Sequence, residues 1–136
     1  MVEERITDGR RIAELLASEL DGREDDELAS IEVANADRDV EPTADGARAY
    51  DVALASPGSD DAERIARVFV HEDRARLEFE TGQDIAAEAA ADLELRVRPK
   101  ATQPPRTLVF VESGAAVKRA TDVVKAVSRA EKTESF

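Results

Sequence analysis

The chain has no cysteine, a single histidine, and an aromatic content of 4% over its 136 residues. The missing cysteine excludes disulfide staples, thiolate zinc sites and a cysteine nucleophile, and leaves the redox state of the compartment unconstrained. A lone histidine excludes polyhistidine metal chemistry. No G-x-S-x-G, no H-E-x-x-H and no usefully placed S-x-x-K occurs, so the common nucleophile and metalloprotease signatures are missing. No motif implies a cofactor. No run approaches the roughly 18 apolar residues of a membrane span, and the start MVEERITDGRR has no apolar signal core. A cytoplasmic protein without a membrane contact is therefore expected. Lysine is scarce as well: of 19 basic residues only Lys100, Lys118, Lys125 and Lys132 are lysines.

Acid is what the chain has in excess. Asp and Glu number 31 and the formal net charge is -12. Alanine and valine stand where larger apolar residues are usual. This acidic, lysine-poor, alanine-rich composition resembles the proteins of salt-in halophilic archaea. The resemblance spans the whole chain but is compositional, so it implies a solvent and carries over no functional residue. Net negative charge keeps such a molecule dissolved, and molar salt, with a Debye length of ~3 Å, screens its self-repulsion. The length suits one domain over 1–136 that buries roughly 65–70% of its unfolded surface, with 1–6 and 131–136 expected to fray.

Periodicity supplies the elements. Ile12, Leu15, Leu16 and Leu20 make one apolar stripe, so 7–21 reads as a helix capped by Thr7 or Asp8 and stopped at Gly22. Alternation predicts strands over 28–35 and 47–55, with a polar loop at 37–46 and a turn at 56–59. Residues 64–71 and 74–80 read as a hairpin turning at His71–Arg74. Its first arm is apolar on both faces, which suggests a doubly covered strand. Its second arm points Ala75, Leu77 and Phe79 inward and Arg76, Glu78 and Glu80 outward. Thr81-x-x-Asp84 resembles a capping box for a short helix over 84–91 that buries Ile85 and Ala89. Strands follow at 93–98, ended or edged by Pro99, and at 107–111, joined by Gln103-Pro104-Pro105. The last helix buries Val117, Ala120, Val123, Val124 and Val127. The expected fold is α+β: a two-layer, largely antiparallel sheet of about six strands covered by an N-terminal and a C-terminal helix, with a short extra helix.

Several constellations invite a chemical reading, each beside a plainer one. His71 has the chemistry of a general base but neighbours only Glu72 and Asp73, and reads more simply as an exposed turn residue. Asp37, Asp39, Glu41 and Asp45 suggest a hard cation, yet Pro42 and Arg48 stand where a calcium loop needs Gly and Glu. They read as a solvated acidic loop, as do 23–27 and 60–63. Val111–Gly114 opens a helix near Lys118 and Arg119, as an anion site would, without P-loop spacing.

The odd stretch is Leu93–Lys132, with nine basic and four acidic residues, a net of +5 in an acidic chain. Arg96, Arg98, Lys100, Arg106, Lys118, Arg119, Lys125 and Arg129 are the candidate contacts for an anionic partner. No aromatic is expected to stand among them for base stacking, so nucleic acid is not supported. Residues 1–92, at net -16, offer an internal use for the same charge. Three functions stay open: a non-enzymatic binding or accessory module, a structural homo-oligomer, and an enzyme with a carboxylate-based site.

The composition makes one direct prediction. The unfolding midpoint should be higher in about 2–3 M KCl than in about 0.1 M, because the like charges of residues 1–92 repel unscreened in dilute buffer. A thermal melt at both concentrations checks it.

Overall fold

The computed structural model describes residues 7–21, 31–55, 62–102 and 105–134. The elements run α1 (Gly9–Leu20), β1 (Ile31–Ala34), β2 (Ala47–Ala55), β3 (Ala62–Val70), β4 (Ala75–Phe79), α2 (Gln83–Asp92), β5 (Val97–Lys100), β6 (Arg106–Val111) and α3 (Val117–Glu134). A 3-10 turn, Gly114–Ala116, leads into α3. The strands form one sheet in the order β1-β2-β3-β4-β6-β5, and every pairing is antiparallel. This is the α+β, two-layer fold that the patterning predicts.

One face of the sheet is the core. Val52, Ala66, Val68, Val70, Leu77, Phe79, Val109 and Val111 pack there against Ile12, Leu16 and Leu20 of α1 and the Val117–Val127 stripe of α3. Each fully buried leucine or isoleucine contributes about 1.5–3 kcal/mol. Asp8 caps α1 by accepting from Arg11 N–H at 3.0 Å. The Tyr50 hydroxyl, buried in the core, donates to Ala13 O at 2.8 Å and ties α1 to β2. Burial pushes that phenol well above its usual pKa.

Four expectations need correcting. Leu93 and Glu94 form the turn after α2, with Glu94 at φ 61°, so β5 starts only at Val97. It includes Pro99, which an edge strand tolerates because no partner needs its N–H. The short helix begins at Gln83 behind an αL Gly82 without a side-chain cap, and it fully buries Ala86 and Ala90, with Ile85 and Ala89 only partly buried against the core. An all-alanine face gives no large side chain to mark the stripe. The helix α3 continues to Glu134, beyond the expected fraying point. Finally, no described helix covers the second face of β3, where Phe69 lies beside Leu108 and Phe110 of the interior strand β6. Gly22, 23–27, 28–30, the turn at 56–59, Gln103-Pro104 and the terminal 1–6 and 135–136 lie outside the described residues.

One contact fixes where α1 meets the sheet. Gly9 N–H donates to Glu72 O at 3.0 Å, and a Cβ at Gly9 would stand 1.8 Å from His71 O. That partner is backbone in a tight turn and cannot swing aside. Gly9→Ala should therefore destabilise by at least the ~1–3 kcal/mol of an overpacked core, read as a fall in the chemical-denaturation midpoint.

Candidate functional site

Side chains alternate along a strand, so the residues between the core positions meet on the opposite face of the sheet. Their registers stack into rows that cross the strands. One row runs Arg48–Phe69–Arg76–Phe110 over β2, β3, β4 and β6. Phe110 N–H then donates to Arg96 O at 3.0 Å, which adds Arg96 at the β5 end. With strands about 4.8 Å apart, this alternation of arginine and phenylalanine spans about 19 Å. A second row is Asp51–Arg67–Glu78–Leu108–Arg98. Beyond it Arg106 pairs with Lys100, and Arg64 with Ala53 and Glu32. Eight cations from the paired strands (Arg48, Arg64, Arg67, Arg76, Arg96, Arg98, Lys100, Arg106) thus share this face with Glu32, Asp51, Glu78 and Glu80, and Glu112 just past β6 stands 3.5 Å from Arg96.

Cations cover the rings. The Arg76 guanidinium lies 4.6 Å from the centre of Phe69, and those of Arg96 and Arg74 lie 4.3 and 5.8 Å from that of Phe110. Such stacks are favourable because the ring face is electron-rich. They also explain how apolar groups survive on a face with no described helix over it.

Glu78 is the centre of the cluster and is fully buried. Arg76 Nε and Nη2 donate to its Oε2 at 2.9 and 2.6 Å. Arg106 Nη1 donates to Oε1 at 3.0 Å, and Lys100 Nζ stands 3.6 Å from the same oxygen. Burial alone would raise its pKa. The hydrogen bonds from Arg106 and Arg76 and the charges of Arg76 and Lys100 outweigh that and lower it. The carboxylate is therefore held ionised. A second knot joins Arg64 and Arg67 to Glu80 at 3.2 and 3.0 Å, and Arg48 to Asp51 at 3.4 Å.

His71 is buried, not an exposed turn residue. Its Nδ1 lies 3.0 Å from Ala44 O and its Nε2 lies 2.8 Å from Arg76 Nη1. A carbonyl only accepts and a guanidinium only donates, so Nδ1 carries the proton and Nε2 is bare. The imidazole is neutral and serves as a strut. Arg76 Nη1 also donates to Asp45 O at 3.0 Å. Gly46, at φ +93°, leaves room for that guanidinium, which a Cβ there would approach to 2.8 Å.

The structure divides the eight candidate contacts. Arg96, Arg98, Lys100 and Arg106 are on the open face. Lys118, Arg119, Lys125 and Arg129 are on α3, in the helix layer. There Arg119 donates to Leu93 O at 3.2 Å, and Lys125 stands 3.9 Å from Asp122. The positive stretch of sequence is therefore not one surface. The sequence reading missed Arg48, Arg64, Arg67 and Arg76, and it overlooked Phe69 and Phe110 as aromatics among the cations. A signal existed: the four-residue turn at His71–Arg74 fixes a register that sets Phe69 against Arg76 and Arg67 against Glu78. Internal neutralisation is partial, since Glu78 answers Lys100 and Arg106, while Arg98 makes no ion pair with a described residue. Among the described residues no group of three or more histidines or carboxylates is placed to hold a metal. Asp37 Oδ1 accepts from Asp39 N–H instead. The turn into α3 is closed by its own Ser113, whose hydroxyl accepts from Ala116 N–H at 3.3 Å.

A family of unknown function, DUF7993, matches residues 1–135. The chain belongs to this family. No curated protein and no solved structure matches it. For this DUF7993 chain the geometry of the sheet face is thus the main guide to function.

The strut has a pH signature. Burial, with the charges of Arg74 and Arg76, lowers the pKa of His71 from 6.5, against the Ala44 hydrogen bond and Asp73. The neutral ring stabilises the fold fully above 6.5. Below that the unfolded chain takes up the proton first, so stability falls as pH drops toward the lowered folded value. Denaturation curves between pH 7 and about 5.5 should show this slope in the wild type and lose it in His71→Gln, since carboxylates titrate mainly below that interval.

Proposed function

We propose that the protein is a small binding module, adapted to a salt-rich cytoplasm, whose open sheet face takes a polyanionic partner. The observation that carries this is the crowding at Glu78. Three cations surround one carboxylate, and Arg98 adjoins them with no counterion among the described residues. Placing a surplus of positive charge on one face of a chain of net charge -12 concentrates attraction for anions where the rest of the surface repels them.

The enzyme reading has less support. A carboxylate serving as general acid needs a raised pKa, and that of Glu78 is lowered. Its oxygens are already occupied by guanidinium and ammonium groups.

Salt decides how such a face works. Counterion release loses its force as salt rises, but so does the long-range repulsion from the acidic exterior. Arginine forks hydrogen-bonded to phosphate or carboxylate act at contact and persist. Binding here therefore rests on geometry more than on field strength.

Calorimetric titration with inorganic polyphosphate and with polyglutamate, in about 0.3 M and about 2 M KCl, tests the reading. The wild type should bind at least one polymer. Arg98→Glu should weaken that binding about tenfold or more, ~1.4 kcal/mol, while Lys118→Glu in the helix layer should leave it unchanged. A wild type that binds neither polymer at either salt concentration would sink the proposal.

A further inference from the structure

We infer that the partner is a single-stranded nucleic acid; this rests on the polyanion reading and deepens it. Attraction for phosphate or carboxylate needs only cations. The sheet face has more: planar groups alternate with the charges, as Phe69, Arg76, Phe110 and Arg96 along one row. An acidic polypeptide does not carry a flat group beside each of its charges. A duplex keeps its bases stacked on one another. Only a single strand offers unpaired bases beside its phosphates, and it is recognised by stacking on aromatic rings and guanidinium planes.

The exposures fit that division of labour. Phe69 keeps part of its surface open. Arg96 lies flat over Phe110 and pairs at its edge with Glu112 at 3.5 Å, while its side chain stays half exposed, so it presents a guanidinium plane backed by a ring. These two platforms are two strands apart, about 10 Å. Arg98 and Lys100 lie in the neighbouring rows at the β5 edge, placed to take the backbone phosphates of a strand that crosses the sheet. Molar salt favours the same partner. It abolishes most of the counterion-release term but leaves base stacking and contact hydrogen bonds, so a partner that stacks holds its affinity where a merely charged one does not.

Fluorescence anisotropy tests this with labelled single-stranded RNA and DNA of about 12 nucleotides, a duplex of the same length, and labelled polyglutamate, in about 0.3 M and about 2 M KCl. Either single strand should bind about tenfold or more tightly than the duplex or polyglutamate, with the advantage growing at the higher salt. Phe69→Leu and, separately, Arg96→Gln should each weaken single-strand binding about fivefold or more, the loss of one stacked base. Polyglutamate binding should stay within about twofold of the wild type in Phe69→Leu, which removes a ring and no charge. Circular dichroism confirms that Phe69→Leu folds, and Arg96→Gln, at an exposed position, carries the test if it does not. Polyglutamate or duplex bound as tightly as the single strand would overturn the inference and leave the polyanion reading standing. So would intact single-strand binding in both folded variants. Binding of none of these polymers would overturn the inference, and the polyanion reading would then stand or fall on the polyphosphate titration.

Discussion

The fold depends on a buried charge being kept a charge. Glu78 lies one residue from the end of β4, itself central in the sheet, and removing a carboxylate from water costs several kcal/mol unless hydrogen-bonded cations replace the water. Arg76 and Arg106 do so directly, with Lys100 behind them. Once Arg76 is fixed on Glu78, its remaining donor and its flat face are fixed too. The donor reaches Asp45 O and the bare nitrogen of His71, which holds segment 35–46 against the end of the sheet. The flat face lies over Phe69. His71 passes the constraint on, because the turn it opens is the backbone against which Gly9 seats α1. One ion cluster on the outer face thus positions a helix on the inner one.

The two faces of the sheet solve burial in different ways. Toward the helices the chain uses valine and alanine, so the layers approach closely and the core is made of many small side chains. Away from the helices it uses arginine, whose stem and guanidinium plane shield apolar atoms while the charge stays near solvent or a carboxylate. Phe110 shows how far this goes. It is nearly as buried as a core residue, yet what lies on it is Arg96 and Arg74.

What could be read from the sequence follows from these two strategies. The stripes of α1 and α3 were legible because isoleucine, leucine and valine recur at helical spacing among charges, and the Val117–Val127 stripe is buried as expected. The stripe of α2 was not, because alanine marks no side. The hairpin was legible from its turn and alternation. The candidate site was only half legible. Arg96, Arg98, Lys100 and Arg106 drew notice because they are close in sequence, and the same criterion wrongly joined them to Lys118 and Arg129 of the other layer. Arg48, Phe69 and Arg76 belong to three different strands and become neighbours only through register. Charge patterns along a chain report what shares an element, whereas a sheet face is assembled across elements. His71 was misjudged for a related reason: its partners Ala44 and Arg76 come from a loop and a strand that local sequence does not bring together.

The same molecule holds two electrostatic regimes that respond oppositely to salt. Its exposed carboxylates repel through water, and molar salt removes that repulsion because the ions pass between them. Glu78 is itself buried among its cations, so salt screens its contacts less. In concentrated salt the destabilising charges are therefore silenced and the stabilising ones are not. A chain with 31 acidic residues can then keep a strongly charged exterior beside a cation-rich sheet face. Arginine suits that face better than lysine would. Its weakly hydrated plane stacks on Phe69 and Phe110 and its fork meets Glu78 through two nitrogens, neither of which a compact ammonium can do.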